Sequence, residues 1–165
     1  DNSVDVLTGT FSKSFACVGG FAATSKEVVR FLKASCPSFI FTASLPPASV
    51  ATVLASLNII KTDKERIKNL RKISNRVRSE LNSMGYNTCG SQTPIIPILV
   101  GDREKTIAAW EYLFDRGIFC NVSISPAVPV GSDLLRTSYI ATHTDSQIDR
   151  VLEAFRGLKR DVLFD

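Results

Sequence analysis

Apolar and polar positions change their period several times along the chain, and each change predicts an element. Val4 to Leu7 is a short apolar run that predicts a buried strand ending at Gly9. Phe21-Ala22-Ala23 predicts a second brief strand, and the small residues of Thr8 to Gly20 predict a loop between the two. Ser25 can accept a backbone N–H as the N-cap of a helix with Val28, Val29 and Leu32 on one side, and Pro37 stops that helix. Phe39-Ile40-Phe41-Thr42, short and aromatic, predicts a strand or extended segment.

Pro46-Pro47 opens a long helical region. Val50, Val53, Leu54, Leu57 and Ile60 keep helical spacing, and Ile67, Leu70, Ile73, Val77 and Leu81 continue it until Gly85. The charged middle from Lys61 to Arg66 splits this helix, as in a bridge between two domains. Further on, Ile95 to Val100 predicts a strand in which Pro97 favours an edge or a bulge. A helix follows from Glu104 to Arg116, ended by Gly117, and Ile118–Ile124 and Leu134–Ile140 alternate as strands. Thr144 and Gln147 have the spacing of a capping box, and Ile148, Val151, Leu152, Phe155 and Leu158 form the apolar stripe of a last helix. Strand, helix, strand, strand, helix makes a compact α/β unit of this second half.

With 165 residues, 44% of them hydrophobic, the chain suits one ordinary domain or two small pieces. No apolar run reaches the ~18 residues of a membrane span. The balance of 20 basic against 16 acidic residues is too mild and too evenly mixed for a nucleic-acid surface. The basic stretch from Lys61 to Arg78 reads as a solvated helix face. Cys17, Cys36, Cys89 and Cys120 are far apart, none forms a CxxC pair, and there is a single histidine, so no metal site is expected. Reduced thiols fit a cytoplasmic protein. The opening Asp1-Asn2-Ser3-Val4-Asp5 has neither a signal peptide nor an initiator Met, so the gene is expected to start upstream.

Gly9-Thr10-Phe11-Ser12-Lys13-Ser14 sets a lysine among hydroxyl residues, between a strand and a Gly-Gly turn. One reading is a phosphate-binding loop, although the first glycine of the nucleotide version is out of place. The other is a lysine that forms a Schiff base, with Thr10 and backbone amides holding a phosphate. Taken bare, Lys13 and Arg136 read as surface residues, and Thr10 and Thr42 as turn and strand residues. His143, just before the Thr144 cap, reads as a local structural hydrogen bond.

The wider strings narrow these readings. Asp5-Val6-Leu7-Thr8-Gly9-Thr10-Phe11-Ser12-Lys13-Ser14-Phe15 with Gly19-Gly20-Phe21 resembles the lysine segment of the α-oxoamine synthases. The resemblance continues in Phe39 to Pro47, in Thr93 to Ile98 with Gly101-Asp102, in Ser125-Pro126-Ala127-Val128-Pro129, in Leu134 to Ser138, and in Ala141-Thr142-His143-Thr144. The Pro-rich loop and the Thr-His-Thr string set this branch apart from aminotransferases of related fold.

The resemblance implies an α/β chain forming the C-terminal part of a pyridoxal-phosphate (PLP) dependent transferase of the aspartate-aminotransferase fold. Residues 1–60 would be the C-terminal end of the large PLP-binding domain, and 61–165 the small α/β domain with its bridging helix. Lys13 matches the lysine that carries pyridoxal 5'-phosphate covalently and moves the Cα proton. Thr10 matches a phosphate contact, and Thr42 another that reaches the site from a partner subunit, which implies a homodimer with shared active sites. Arg136 matches the arginine that grips the amino-acid carboxylate, a task suited to its planar fork.

The implied reaction is decarboxylating condensation of a small amino acid with an acyl-CoA. The strings around Lys13 and Thr42 look most like the bacterial members that join serine to a long acyl-CoA. Members that use alanine with a pimeloyl thioester, and the glycine users, are the alternatives. Ile124 stands where several members carry an arginine before the Pro-rich loop, which leaves the amino acid open. The acid and the stacking aromatic that such a site needs precede the lysine in the family. The 165 residues alone are therefore expected to bind PLP weakly and to be inactive, and an inert dimerising fragment is the reading from another class. Residues 1 to 60 should then carry apolar faces made for other strands and for a partner.

Overall fold

The computed structural model describes residues 4–163. The chain divides into two compact units, Asp1–Lys64 and Glu65–Asp165. The division falls a few residues beyond position 60, because the helix that carries Ile60 continues to Thr62.

In the first unit, β1 (Val6–Thr10) and β2 (Gly20–Thr24) form an antiparallel hairpin, with Val6 opposite Thr24 and Thr10 opposite Gly20. β1 does not end at Gly9 but passes through it, so the loop is shorter than the run of small residues. The ladder needs glycine at two places. The ring of Phe21 covers Gly9, and a Cβ on Gly20 would stand 2.6 Å from the Gly9 carbonyl oxygen. α1 (Lys26–Ser35) starts at Ser25, whose hydroxyl accepts the Val28 N–H. Residues 39–42 are not a strand: Pro37–Ile40 is one helical turn, α2, with Pro37 in its first turn. The fixed φ of proline suits that position, and the amides of Phe39 and Ile40 close on the Cys36 carbonyl. α3 (Pro47–Thr62) follows.

No described residue of this unit is buried. Phe31 on α1 is 66% exposed, Leu54 on α3 60%, and Phe41 86%. Two helices and the turn after α2 thus present apolar side chains to the outside, as the resemblance implied for residues 1–60.

The second unit contains the core. α4 (Glu65–Ser83) ends before Gly85, whose φ of +82° turns the chain away. A three-stranded antiparallel sheet follows in the order β3 (Ile95–Leu99), β5 (Leu134–Ser138), β4 (Asn121–Ser123). Pro97 lies on β3, an edge strand, where its missing N–H costs no ladder bond. β4 covers only three of the seven positions from 118 to 124. Before it, the Ile118 amide is spent capping α5 (Arg103–Asp115) at Leu113, and after it the Ser125 amide turns to the Asp133 carboxylate. α6 (Asp145–Leu158) begins in the expected capping box, with Thr144 and Gln147 bonded reciprocally.

Ile73, Val77 and Leu81 of α4, Leu113 of α5 and Ile148, Leu152 and Phe155 of α6 pack with Ile96, Ile98 and Leu135 of the sheet. Arg76 pairs with Asp145 and Asp149, and Arg156 with Glu80, tying α4 to α6 at the solvent edge. Among the described residues no helix is long and apolar enough to cross a membrane.

Candidate active site

Lys13 is exposed and opens a tight turn in the β1–β2 connection: the Ala16 amide donates to the Lys13 carbonyl at 2.9 Å. The turn is closed twice across its neck, by Phe11 N–H to Gly19 O at 2.9 Å and Cys17 N–H to Phe11 O at 3.0 Å. Behind it the rings of Phe15 and Phe21 lie 5.3 and 5.8 Å from that of Phe11. α3 braces it, since the Ser56 hydroxyl donates to Phe15 O at 3.3 Å. A flexible lysine side chain is therefore mounted on a fixed backbone.

Thr10 stands beside it. Its hydroxyl oxygen accepts the Ser12 amide at 3.2 Å and lies 2.8 Å from the Ser12 hydroxyl. Two exposed hydroxyls and an amine thus come within four residues of chain, a donor set that suits a phosphate and a carbonyl. Thr42 is placed differently. It is exposed, past the end of α2, and its hydroxyl donates to Ser38 O at 2.5 Å. Leu45, three residues on, lies over Gly19, so the segment that follows Thr42 packs against the neck of the turn.

Arg136 belongs to the second unit. Leu135 and Thr137 are buried towards the helices, so alternation puts Leu134, Arg136 and Ser138 on the opposite, open face. The register adds Ile95, Pro97 and Leu99 from β3 and Asn121 and Ser123 from β4. Arg136 is thus the one charged strand residue of this face, in the middle of the central strand, with Pro97 opposite on one side and Asn121 on the other. A guanidinium set among apolar and neutral neighbours is open to an incoming carboxylate.

The aminotransferase class I and II family matches residues 1–155. The chain belongs to that family. A serine palmitoyltransferase of Bacteriovorax stolpii is 42% identical over 162 residues, 98% of this chain and 38% of that protein. An 8-amino-7-oxononanoate synthase of Geotalea daltonii is 37% identical over 159 residues, 95% of this chain and 40% of that protein. A solved structure of serine palmitoyltransferase with PLP as its internal aldimine superposes with a TM-score of 0.91 at 34% identity, over 96% of this chain and 40% of that one. The fold is that of a PLP-dependent, aspartate-aminotransferase-type protein, and the chain spans about 40% of the length of these relatives.

The His143 Nδ1 accepts the Ile140 amide at 3.2 Å, the local bond expected of it. A hollow of about 270 Å³ lined in part by Phe119, Tyr139, His143 and Arg150 includes none of Thr10, Lys13, Thr42 and Arg136. No cluster of metal-ligating side chains occurs among the described residues. Burial pushes the Cys120 thiol up to about 11, which keeps it protonated and inert.

Two polar residues of these regions were not singled out in the sequence. Ser12 is legible afterwards as the second hydroxyl of a Thr-x-Ser step. Asn121 has no local signal, because only pairing of β4 with β5 sets it opposite Arg136.

Proposed function

We propose that this chain supplies the lysine turn and the substrate-gripping small domain of a PLP-dependent acyltransferase. The reaction joins a small amino acid, serine first, to an acyl-CoA with loss of carbon dioxide. The observation that carries this reading is the turn itself: an exposed lysine on a doubly closed backbone, beside two hydroxyls 2.8 Å apart. The match to relatives named serine palmitoyltransferase supports it.

The donor set fits the cofactor's phosphate and aldehyde ends. Thr10 would hold the phosphate, Thr42 would contact it from a partner subunit, and Lys13 would bear the cofactor covalently. When bound, PLP supplies an electron sink for a carbanion at the amino acid's Cα. Lys13 Nζ, set free when the amine of the substrate takes its place on the cofactor, would then serve as the amine base that takes the proton from that carbon. Arg136 holds the carboxylate by its planar fork and so orients the Cα–H bond. The acidic and aromatic groups for the ring would come from the length that the relatives have beyond this segment. The active protein would be a cytoplasmic homodimer with shared sites. Transfer from a pimeloyl thioester to alanine is the second reading, favoured by the Geotalea daltonii relative.

Full-length protein titrated with PLP should develop the visible absorption band of a lysine-bound cofactor, and Lys13→Ala should abolish it. Serine with a panel of acyl-CoA thioesters should then release CoA and carbon dioxide. An equal band in the variant would refute the role of Lys13. Release with alanine and pimeloyl-CoA alone would select the second reading.

A further inference from the structure

The open face of the three-stranded sheet carries one charge, and what stands directly across from it is an amide. Asn121 opens β4 opposite Arg136, while Val122 pairs with Leu135 on the covered side. Directly opposite residues of an antiparallel pair hold their Cβ atoms about 4.5–5.5 Å apart and on the same face. Asn121 is exposed, and asparagine is a poor strand former, so strand formation does not account for it. On the other side of Arg136 stands Pro97, which offers no side-chain donor. Ser138, two positions along β5, is about 7 Å away.

We propose that Asn121 reads the amino-acid substrate together with Arg136, its side-chain amide donating to the carboxylate that the guanidinium holds. This rests on the role given to Arg136 in the proposed function. A carboxylate has about four acceptor sites, of which a bidentate arginine occupies two. An amide donor one strand away satisfies a third without adding charge. It also opposes a hinge-like tilt of the carboxylate out of the guanidinium plane, the motion that two parallel bonds resist least. Ile124, apolar and three residues on, supplies no such donor.

The test uses full-length protein loaded with PLP and compares calorimetric binding of L-serine with that of L-serinamide, which lacks the carboxylate. Asn121→Ala should weaken L-serine about tenfold, as expected for one bond to a charged group. L-serinamide binding, the acyl-CoA KM and Tm should stay as in the wild type, because the side chain is exposed. Asn121→Asp should cost more than Asn121→Ala, since a second carboxylate both occupies Arg136 and repels the substrate. Asn121→Thr, which keeps a donor, should restore part of the loss. Equal weakening of serine and serinamide, or unchanged serine binding, overturns the proposal. Arg136→Gln separates the two levels. If it removes the preference for serine and Asn121→Ala does not, only the proposal falls. If it leaves that preference intact, the role of Arg136 falls as well.

Discussion

Replacing Phe155 by alanine tests where the stability of this chain resides. Phe155 is fully buried on α6, its ring lies edge-on to Tyr86 at 5.5 Å, and its carbonyl accepts the Tyr86 hydroxyl at 2.7 Å. The substitution keeps that backbone acceptor and deletes the ring. Lost transfer of the ring from water costs about 3 kcal/mol, and the aromatic pair about 1 more. The sum, about 4 kcal/mol, lies within the usual range for a buried Phe→Ala and is a large share of the ~5–15 kcal/mol that holds a domain. Guanidinium unfolding of the 165-residue chain, followed by fluorescence of Trp110 on α5, reports on the second unit. The control is Phe31→Ala in the first unit, 66% exposed, which should change stability by less than about 0.5 kcal/mol by far-UV circular dichroism. A Phe155→Ala cost below about 1.5 kcal/mol, or an equal cost for Phe31→Ala, would refute the placement of the core.

Thr144→Ala removes the hydroxyl that accepts the Gln147 amide, leaves the backbone N–H that donates to Gln147 Oε1, and should destabilise α6 by about 1 kcal/mol in the same melts, with Gln147→Ala costing less. The Cys120 thiol, whose ordinary value is 9.0, keeps its proton in the folded chain up to about 11. Its contribution is therefore complete below pH 9 and is lost as pH rises through 11; Cys120→Ala should flatten that fall between melts at pH 8 and 10.5. Exposed Cys89 should be alkylated by iodoacetamide in the native chain, and Cys120 only after unfolding. Asp133 is buried and accepts the Ser125 amide at 3.0 Å, so Asp133→Ala should cost about 1–3 kcal/mol and speed hydrogen exchange at that amide, while Asp133→Asn keeps the bond.

Elements set by contacts within a turn or two were legible in the residues. Ser25 caps α1, Thr144 and Gln147 cap α6, and glycines at 85 and 117 take up positive φ after α4 and α5. Each of these signals acts over four residues or fewer, so no knowledge of the remaining chain is needed. Misreadings occurred where a short apolar run could serve more than one structure. Phe39 to Thr42 looks like a strand, but Pro37 in the first position of α2 and the Cys36 carbonyl wind its start into a helical turn. Ile118 to Ile124 looks like a seven-residue strand, yet its two ends are spent on a helix cap and on Asp133.

The candidate site divides in the same way. Lys13 and Thr10 are neighbours in sequence, so their motif and its turn could be read together. Arg136 could be named from its string, but its setting could not. That the helices cover one face of the sheet, that Arg136 is the one charge on the strands of the other, and that Asn121 stands across from it all follow from pairing of strands eleven or more residues apart. Alternation along a strand tells which residues share a face. Only packing tells which face meets water, and only register tells which residue of another strand lies alongside. Local chemistry in the sequence thus determined the caps, the stops and the lysine turn. The tertiary structure decided the core, which lies wholly in the second unit among the described residues, and the company that Arg136 keeps, because both depend on contacts between segments distant in the chain.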